Sequence, residues 1–597
     1  MKKSKLGIYL LLALAAAFMA VPLAPAAEKP HSRDIIQTPH NLSISGGGGA
    51  HDIRSGTEAE VCIFCHTPHH ASTVTPLWSR EASPLTIYVT YKSPTLKANP
   101  QQPRGASRLC LSCHDGTIAL GHLTGDRILD PSLPAFKDMP QETDPRKNPN
   151  LGTDLSNDHP ISFLYSDASN LELNDATTVQ TKGIRLSQDQ YVECTSCHDA
   201  HNNQFGNFLV QDVSLQQDAL CTTCHNKQGW SDLDSTHRTG GTRYDTVSAQ
   251  VAASGCINCH LPHNAQRGEH LLRLAGVGAG EETNCYTSCH QSVPYTNVWS
   301  QFNTSLYTHR VQNYNGVHVD NETLPVAGGK KHVECTDCHN PHFAGAQGVP
   351  LGSSTPLVAP ASSAPDINGA LRGVRGVDLT GAAVVSPARY EYEICYRCHA
   401  GPTADQFTSL SQMLPNRVFK DYDESNRFNS SNAAYHPVSA DRRSGPNGRS
   451  LRSQYQGTMF RIYCNDCHDS HGTNESHMLR YQNQDTFPAT GGTNYPLCFR
   501  CHDADYLLNP VGAPRSETVA LHQRHVLGQH LNGDTRQTPC SVCHDPHGVP
   551  AIRGALFNNA AHLVNFDMRY AGDGAVYDAV SRNCTVSCHT SNPRSYP

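Results

Sequence analysis

Every cysteine in this 597-residue chain belongs to one short pattern, and that pattern constrains the fold more than any other feature of the sequence. The 24 cysteines form twelve units in which two cysteines, separated by two or three residues, are followed immediately by histidine. Ten units have the two-residue gap: Cys62, Cys65 and His66; Cys110, Cys113 and His114; Cys194, Cys197 and His198; Cys221, Cys224 and His225; Cys256, Cys259 and His260; Cys335, Cys338 and His339; Cys395, Cys398 and His399; Cys464, Cys467 and His468; Cys498, Cys501 and His502; and Cys540, Cys543 and His544. Two have three intervening residues: Cys285, Cys289 and His290, and Cys584, Cys588 and His589. An even cysteine count in an exported protein usually reads as a disulfide framework, but disulfides do not require a histidine after every second cysteine. Zinc knuckles do not require it in every copy either, and redox dithiols do not come in twelves.

The chemistry that does need this order is covalent haem attachment. Two thiols one helical turn apart form thioethers with the two vinyl groups, and the next residue sets an imidazole under the iron. The three-residue gap moves the thiols from i,i+3 to i,i+4, which still share a helix face. The composition agrees with twelve haem c groups. Counted with Gly in place of Tyr, the apolar fraction is about 42%, below the roughly 45–50% of ordinary globular domains. Something besides aliphatic side chains must fill the core.

The segments Cys62-Ile-Phe-Cys65-His66-Thr-Pro-His69, Leu109-Cys110-Leu-Ser-Cys113-His114-Asp-Gly-Thr and Asn157-Asp158-His159-Pro160-Ile161-Ser162 give the chain a family likeness. It resembles the multihaem c-type cytochromes of metal-respiring bacteria that carry doubled C-x-x-C-H motifs. The likeness runs through essentially the whole mature chain. It implies respiratory electron transfer from the periplasm towards an outer-membrane complex or an extracellular acceptor such as a metal oxide.

The odd-numbered motifs carry a second histidine three residues after the first: His69, His201, His263, His342, His471 and His547. The even-numbered ones never do, so the chain reads as six two-haem modules. A histidine that close to a proximal ligand cannot easily reach the opposite face of the same porphyrin, so each is expected to serve a neighbouring iron. A longer period is also present, because the first six motifs overlay the last six at offsets of 270 to 299 residues. The overlay extends to His159-Pro160-Ile161-Ser162 and His436-Pro437-Val438-Ser439. It predicts two duplicated hexahaem halves, residues 27–299 and 300–597.

The same symmetry nominates the remaining distal ligands. They are His159 with His436, His237 with His522, and one of His40 or His51 with one of His309 or His318; His40 and His309 complete the preferred set. His270 and His562 also correspond and could replace a member of the last group. Only seven methionines occur, and two, Met1 and Met19, lie in the leading segment. Bis-histidine ligation, and therefore low potentials, are expected.

Lys2, Lys3 and Lys5 precede an apolar run from Leu6 to about Leu23, and Ala24-Pro25-Ala26 follows, so residues 1–26 read as a cleaved export signal. The expected location is the periplasm or the cell surface, with no transmembrane segment after cleavage. With 46 basic and 53 acidic residues, nothing favours nucleic acid. The mature chain offers only about 48 residues per haem. The expected fold is therefore mostly irregular and loop-rich, with short α-helices at the motifs around a covalently bound haem chain and little β-structure. Thr86–Tyr91 is the best strand candidate, and the Pro/Ser/Ala/Gly-rich stretch 352–385 reads as an exposed insertion without a ligand set.

Three functions fit. The first is an electron conduit whose partners are periplasmic or outer-membrane cytochromes, a porin, or an extracellular metal acceptor. The second is a reductase of a nitrogen or sulfur oxyanion, which needs an iron with an open position and acid–base groups around it. The third is a protomer of a haem filament or of a porin-embedded conduit. No residue is nominated as catalytic, and no cysteine is left over for nucleophilic chemistry.

Overall fold

The computed structural model describes residues 34–588 except 47–52, 70, 72–76, 81–86, 126, 131–138, 169–171, 215–217, 231–234, 240–254, 267–268, 275–281, 288, 292–296, 312–331, 346–363, 368, 402–415, 442–447, 458, 484–494, 509–516 and 529–534. The leading segment 1–26 and His31, His51, His70, His318, His530 and His589 lie outside this set. The chain forms two compact units. One comprises the described residues up to Asn226 together with Cys259–Arg273; the other comprises Lys227–Asn258 and the residues from Leu274 onward.

Regular structure is short in both units. The longest described helices, Gly105–His114 and Glu517–Val526, have ten residues each. In the first unit Val89–Thr90 pairs in parallel with Asp154–Leu155, while His122–Leu123 pairs with Arg127–Ile128 and Phe163–Leu164 with Tyr191–Val192, both antiparallel. In the second, Gly376–Val377 pairs with Val384–Val385, and Val576–Asp578 with Asn583–Thr585. Of the strand expected at 86–91, only Val89 and Thr90 form one, and Thr86 lies outside the described residues. Among those residues no helix is long and apolar enough to cross a membrane.

The apolar core is divided into small clusters, most of them set against a motif. Phe64, inside the first motif, packs with Leu123 and Leu129, and Leu111, inside the second, packs with Tyr88 and Leu155. In the second unit Tyr392 and Tyr396 of helix Glu391–His399 pack with Phe428 and Val438 against Cys464. Val564, Phe566, Ala571 and Ala575 pack against Cys543 and Cys584. The largest fully buried side chains are tyrosines, Arg80 and glutamates more often than leucines, as expected of a chain whose aliphatic content is low.

Three of the motif helices, those starting at Cys194, Cys335 and Cys464, begin at a side-chain cap. Ser196 Oγ accepts from the Glu193 N–H (3.1 Å), and Asp337 and Asp466 accept from the Glu334 and Tyr463 N–H groups (both 2.9 Å). The second residue between the cysteines thus closes a capping box at the first cysteine. One turn brings the two thiols together, and the helix then stops, because the proximal histidine is extended: His198 has φ −122° and ψ 142°, His339 −128° and 136°.

Two expectations require correction. Cys584 lies in the strand Asn583–Thr585 rather than in a helix, because its segment folds back on Val576–Asp578 as a hairpin. The described part of the stretch 352–385 is not merely an exposed insertion. Its Leu371 and Val374 are buried with Ala388 and Ile394, and the Ala370 carbonyl accepts from His339 Nδ1 (3.0 Å). Its prolines and glycines supply turns, and the composition alone does not distinguish packed turns from loose ones.

Candidate haem-binding sites

The histidines after the cysteines are held by a repeated backbone clip. In motifs one, three, five, nine and eleven the residue after the proximal histidine donates its N–H to a carbonyl further along the chain. The pairs are Thr67 to Leu77, Asp199 to Phe208, Leu261 to Leu271, Asp469 to Met478 and Asp545 to Leu563, at 2.7–2.9 Å. All five acceptor residues have positive φ, between 51° and 64°, a costly conformation for bulky side chains. In four of the clips the preceding residue also has positive φ, and its carbonyl receives the proximal Nδ1–H: His198 to Asn207 (2.8 Å), His260 to His270 (2.7 Å), His468 to His477 (2.8 Å) and His544 to His562 (2.9 Å). Fixing Nδ1 as donor leaves Nε2 with its lone pair free to bind metal. His270 and His562 thus act here through their main chain. The recurring Asn207-Phe-Leu, His270-Leu-Leu, His477-Met-Leu and His562-Leu-Val is the sequence trace of this clip.

Ten proximal histidines each face a second histidine. In the first unit the ring centres of His66 and His201 are 6.2 Å apart, His114 and His40 6.3 Å, His198 and His263 6.1 Å, and His225 and His159 6.2 Å. In the second unit the pairs are His290 with His237 (6.3 Å), His339 with His471 (6.0 Å), His399 with His309 (6.4 Å), His468 with His547 (5.9 Å), His502 with His436 (6.2 Å) and His544 with His522 (6.1 Å). A metal bound by both imidazoles at roughly 2 Å, with about 1.1 Å more from each nitrogen to its ring centre, requires a separation of about 6.2 Å. The residues therefore fit bis-histidine haem iron. Of the twelve nominated distal ligands, ten are in these pairs, including His40 and His309. His69 and His342 are not: His69 is exposed, and the His342 ring lies 6.3 Å from the Trp230 indole.

The odd and even pairs follow different rules. The second histidine of motifs three, five, nine and eleven faces the proximal histidine two motifs earlier: His201 to His66, His263 to His198, His471 to His339 and His547 to His468. The residue just before that second histidine supports the distal histidine of an even motif. The Ala200 carbonyl accepts from His40 Nδ1 (3.1 Å), Pro341 from His237 (2.9 Å), Ser470 from His309 (2.8 Å) and Pro546 from His436, while Pro262 accepts the His159 main-chain N–H (2.7 Å). One C-H-x-x-H peptide thus contacts the ligands of three different irons.

The electrostatics suit neutral ligands. Desolvation, reinforced by neighbouring imidazoles, lowers the pKa of His40, His198, His468, His471 and His502 to about 4 and that of His544 to about 3. Two distal histidines face carboxylates: His263 Nδ1 donates to Asp158 Oδ1 (3.0 Å), and His547 Nδ1 stands 2.8 Å from Glu424 Oε2. Guanidinium groups of Arg80, Arg397, Arg480 and Arg417 act on Cys65, Cys338, Cys467 and Cys543 respectively.

Within each unit, motifs one to four and motifs seven to twelve approach one another in chain order. Cys110 lies within hydrogen-bonding reach of Cys194, Cys395 of Cys464, and Cys498 of Cys540, joining motifs two to three, eight to nine and ten to eleven. The second cysteine of motifs one, three, seven, nine and eleven interacts with a cysteine of the next motif.

Paired C-x-x-C-H sequences whose cysteines and histidines converge in this way define a protein that binds haem c covalently. The family described as the doubled CXXCH motif matches residues 188–229 and 460–506, which hold motifs three with four and nine with ten. The chain is a multihaem c-type cytochrome. No curated protein sequence matches it significantly.

Proposed function

We propose that the chain carries twelve haem c groups and relays electrons through them, in respiratory transfer directed towards the cell exterior. The observation that carries this reading is the set of ten imidazole pairs at iron-spanning distance, with motifs one to four and seven to twelve adjoining in chain order. Haem iron, when bound, supplies the one-electron couple. The protein's own part is to face the two imidazoles of each pair across an iron-sized gap and to keep the rings neutral. The recurrence of four pairs at corresponding positions, those of motifs one to four in motifs seven to ten, supports duplication of a hexahaem ancestor. Ligation by two histidines favours low potentials. Export through the leading segment would place the protein with periplasmic, outer-membrane or extracellular redox partners.

The test is haem content by pyridine haemochrome together with low-temperature EPR and carbon monoxide addition. Expected are about twelve haems per chain and low-spin signals of two kinds. The even pairs, whose rings cross at 60–78°, should give highly anisotropic signals, and four of the five odd pairs, at 9–34°, should give rhombic ones. High-spin iron and carbon monoxide binding at several of the ten paired motifs would refute the relay and favour a reductase.

A further inference from the structure

Trp78, Ser79 and Arg80 tie the first two motifs together. The Ser79 N–H donates to the Cys65 carbonyl (2.9 Å) and its Oγ to the Ile63 carbonyl (2.6 Å), both in motif one. On the side of motif two, the Trp78 indole donates to Ser112 Oγ (3.3 Å). Arg80 Nη2 donates to the carbonyls of Ser112 (3.3 Å) and Ala119 (2.9 Å), and Nη1 to that of Leu120 (2.7 Å). Arg80 is fully buried, its Nε has no partner, and among the described residues no carboxylate pairs with it. By contrast Arg397, Arg480 and Arg417, beside motifs seven, nine and eleven, pair with Asp337 (3.3 Å), Asp469 (3.2 Å) and Asp545 (3.9 Å). Carbonyl dipoles solvate a guanidinium but leave its net charge in place. The buried carboxylate of Asp115 accepts from Tyr88 and Thr117 instead, and Arg80 acts on Cys113 more strongly than Asp115 does.

The third and fourth motifs repeat this arrangement without the charge. The Val210 N–H donates to the Cys197 carbonyl (3.0 Å) as that of Ser79 does to Cys65. The next residue, Gln211, accepts at Oε1 from Thr223 Oγ1 (3.0 Å), and Thr223 holds the place in motif four that Ser112 holds in motif two. Glutamine thus stands where the first pair of motifs has arginine.

We propose that Arg80 is a fixed cation shared by the first two haems, that it holds both at a higher potential than the third and fourth, and that electrons in this unit collect there. A buried positive charge favours the ferrous form, which carries one positive charge less than the ferric. The third haem is biased the other way by Asp158 behind His263. One electron passes from the third or fourth haem, which is oxidised, to the first or second, which is reduced, and no bond or proton moves. This inference rests on the relay reading and gives the relay a direction.

The test is spectroelectrochemical titration and redox-poised EPR of the purified holoprotein. Wild type is compared with Arg80→Gln, which installs the group found at Gln211, with Arg80→Lys, which keeps the charge, and with the reciprocal Gln211→Arg. In Arg80→Gln about two-twelfths of the Soret change should move negative, each haem losing at least about threefold in its reduction equilibrium, or about 30 mV at 59 mV per tenfold. One rhombic and one highly anisotropic EPR signal should move together, as the ring angles of 9° at His66 and His201 and 60° at His114 and His40 require. Arg80→Lys should restore most of the wild-type potentials, and Gln211→Arg should move about two-twelfths of the change positive. An Arg80→Gln titration superimposable on wild type with haem content intact, or an Arg80→Lys titration displaced as far as that of Arg80→Gln, overturns the proposal. If Arg80→Gln loses haem, Gln211→Arg decides, and an unmoved titration there overturns it. A full haem count and low-spin spectrum in the wild type would leave the relay standing in each case, whereas high-spin, carbon monoxide-binding iron at the paired motifs would count against the relay itself.

Discussion

Replacing Asp158 by Asn should raise the potential of the third haem. Asp158 is 3% exposed, and its Oδ1 accepts from both His263 Nδ1 (3.0 Å) and the Asn264 N–H (3.2 Å). His263 faces the third proximal histidine, His198. A carboxylate on the far nitrogen of a ligand makes the imidazole a stronger donor and favours ferric iron. Exchanging a charged for a neutral acceptor is worth about 1 kcal/mol from the hydrogen bond alone. Removing a negative charge about 7 Å from the metal, at an effective dielectric constant near 20, is worth roughly 2 kcal/mol. At 59 mV per tenfold for one electron, these bounds correspond to about 40–100 mV. The assay is a spectroelectrochemical titration in which about one-twelfth of the Soret change should move positive by that amount. Asp144→Asn, at a half-buried partner of Arg146 remote in sequence from the motifs, serves as the control. Superimposable titrations of Asp158→Asn and wild type, with haem content intact, would refute the assignment of His263 to that iron.

Other perturbations act on stability. Burial raises the carboxyl pKa of Glu391 to about 7 against the bonds it receives from Asn465, so the fold favours its neutral form and loses stability as pH rises from about 4.3 through 7. Glu391→Gln should therefore stabilise the protein at pH 8 by up to about 3 kcal/mol relative to pH 4; equal thermal midpoint differences between wild type and variant at both pH values would exclude this. Replacing Cys464 and Cys467 together should lower exported protein several-fold as well as removing a haem, read by immunoblot and haem stain; normal accumulation of a folded product would show that the apolar clusters suffice without that cofactor.

The attachment residues were readable because thioether chemistry fixes their spacing, and the twin-histidine motifs were readable because they recur. Which imidazole faces which could not be read, since His201 and His66, or His547 and His468, meet only through the fold. His237 and His522 show the limit most clearly. They correspond in sequence yet face motifs of different parity, His290 of the sixth and His544 of the eleventh. Cys584 illustrates a second limit: i,i+4 spacing permits a helix, but the hairpin with Val576–Asp578 decides the conformation. The clip at Asn207, His270, His477 and His562 was not legible, and His270 and His562 stood instead as alternative distal ligands, because the clip's function lies in main-chain carbonyls and positive φ rather than in side-chain type.

The C-H-x-x-H peptide explains how so little apolar core can hold so many redox centres in register. In motif nine, His468 faces His547, His471 faces His339, and the Ser470 carbonyl orients His309 opposite His399. Four consecutive residues thus fix imidazoles belonging to three irons, at distances set by bond lengths and one short stretch of backbone rather than by packing between distant elements. Side-chain packing is sensitive to every lost methylene, but this linkage is not. The connecting segments can therefore diverge in length, as the offsets of 270 to 299 residues between the halves do, without changing the spacing on which electron transfer depends.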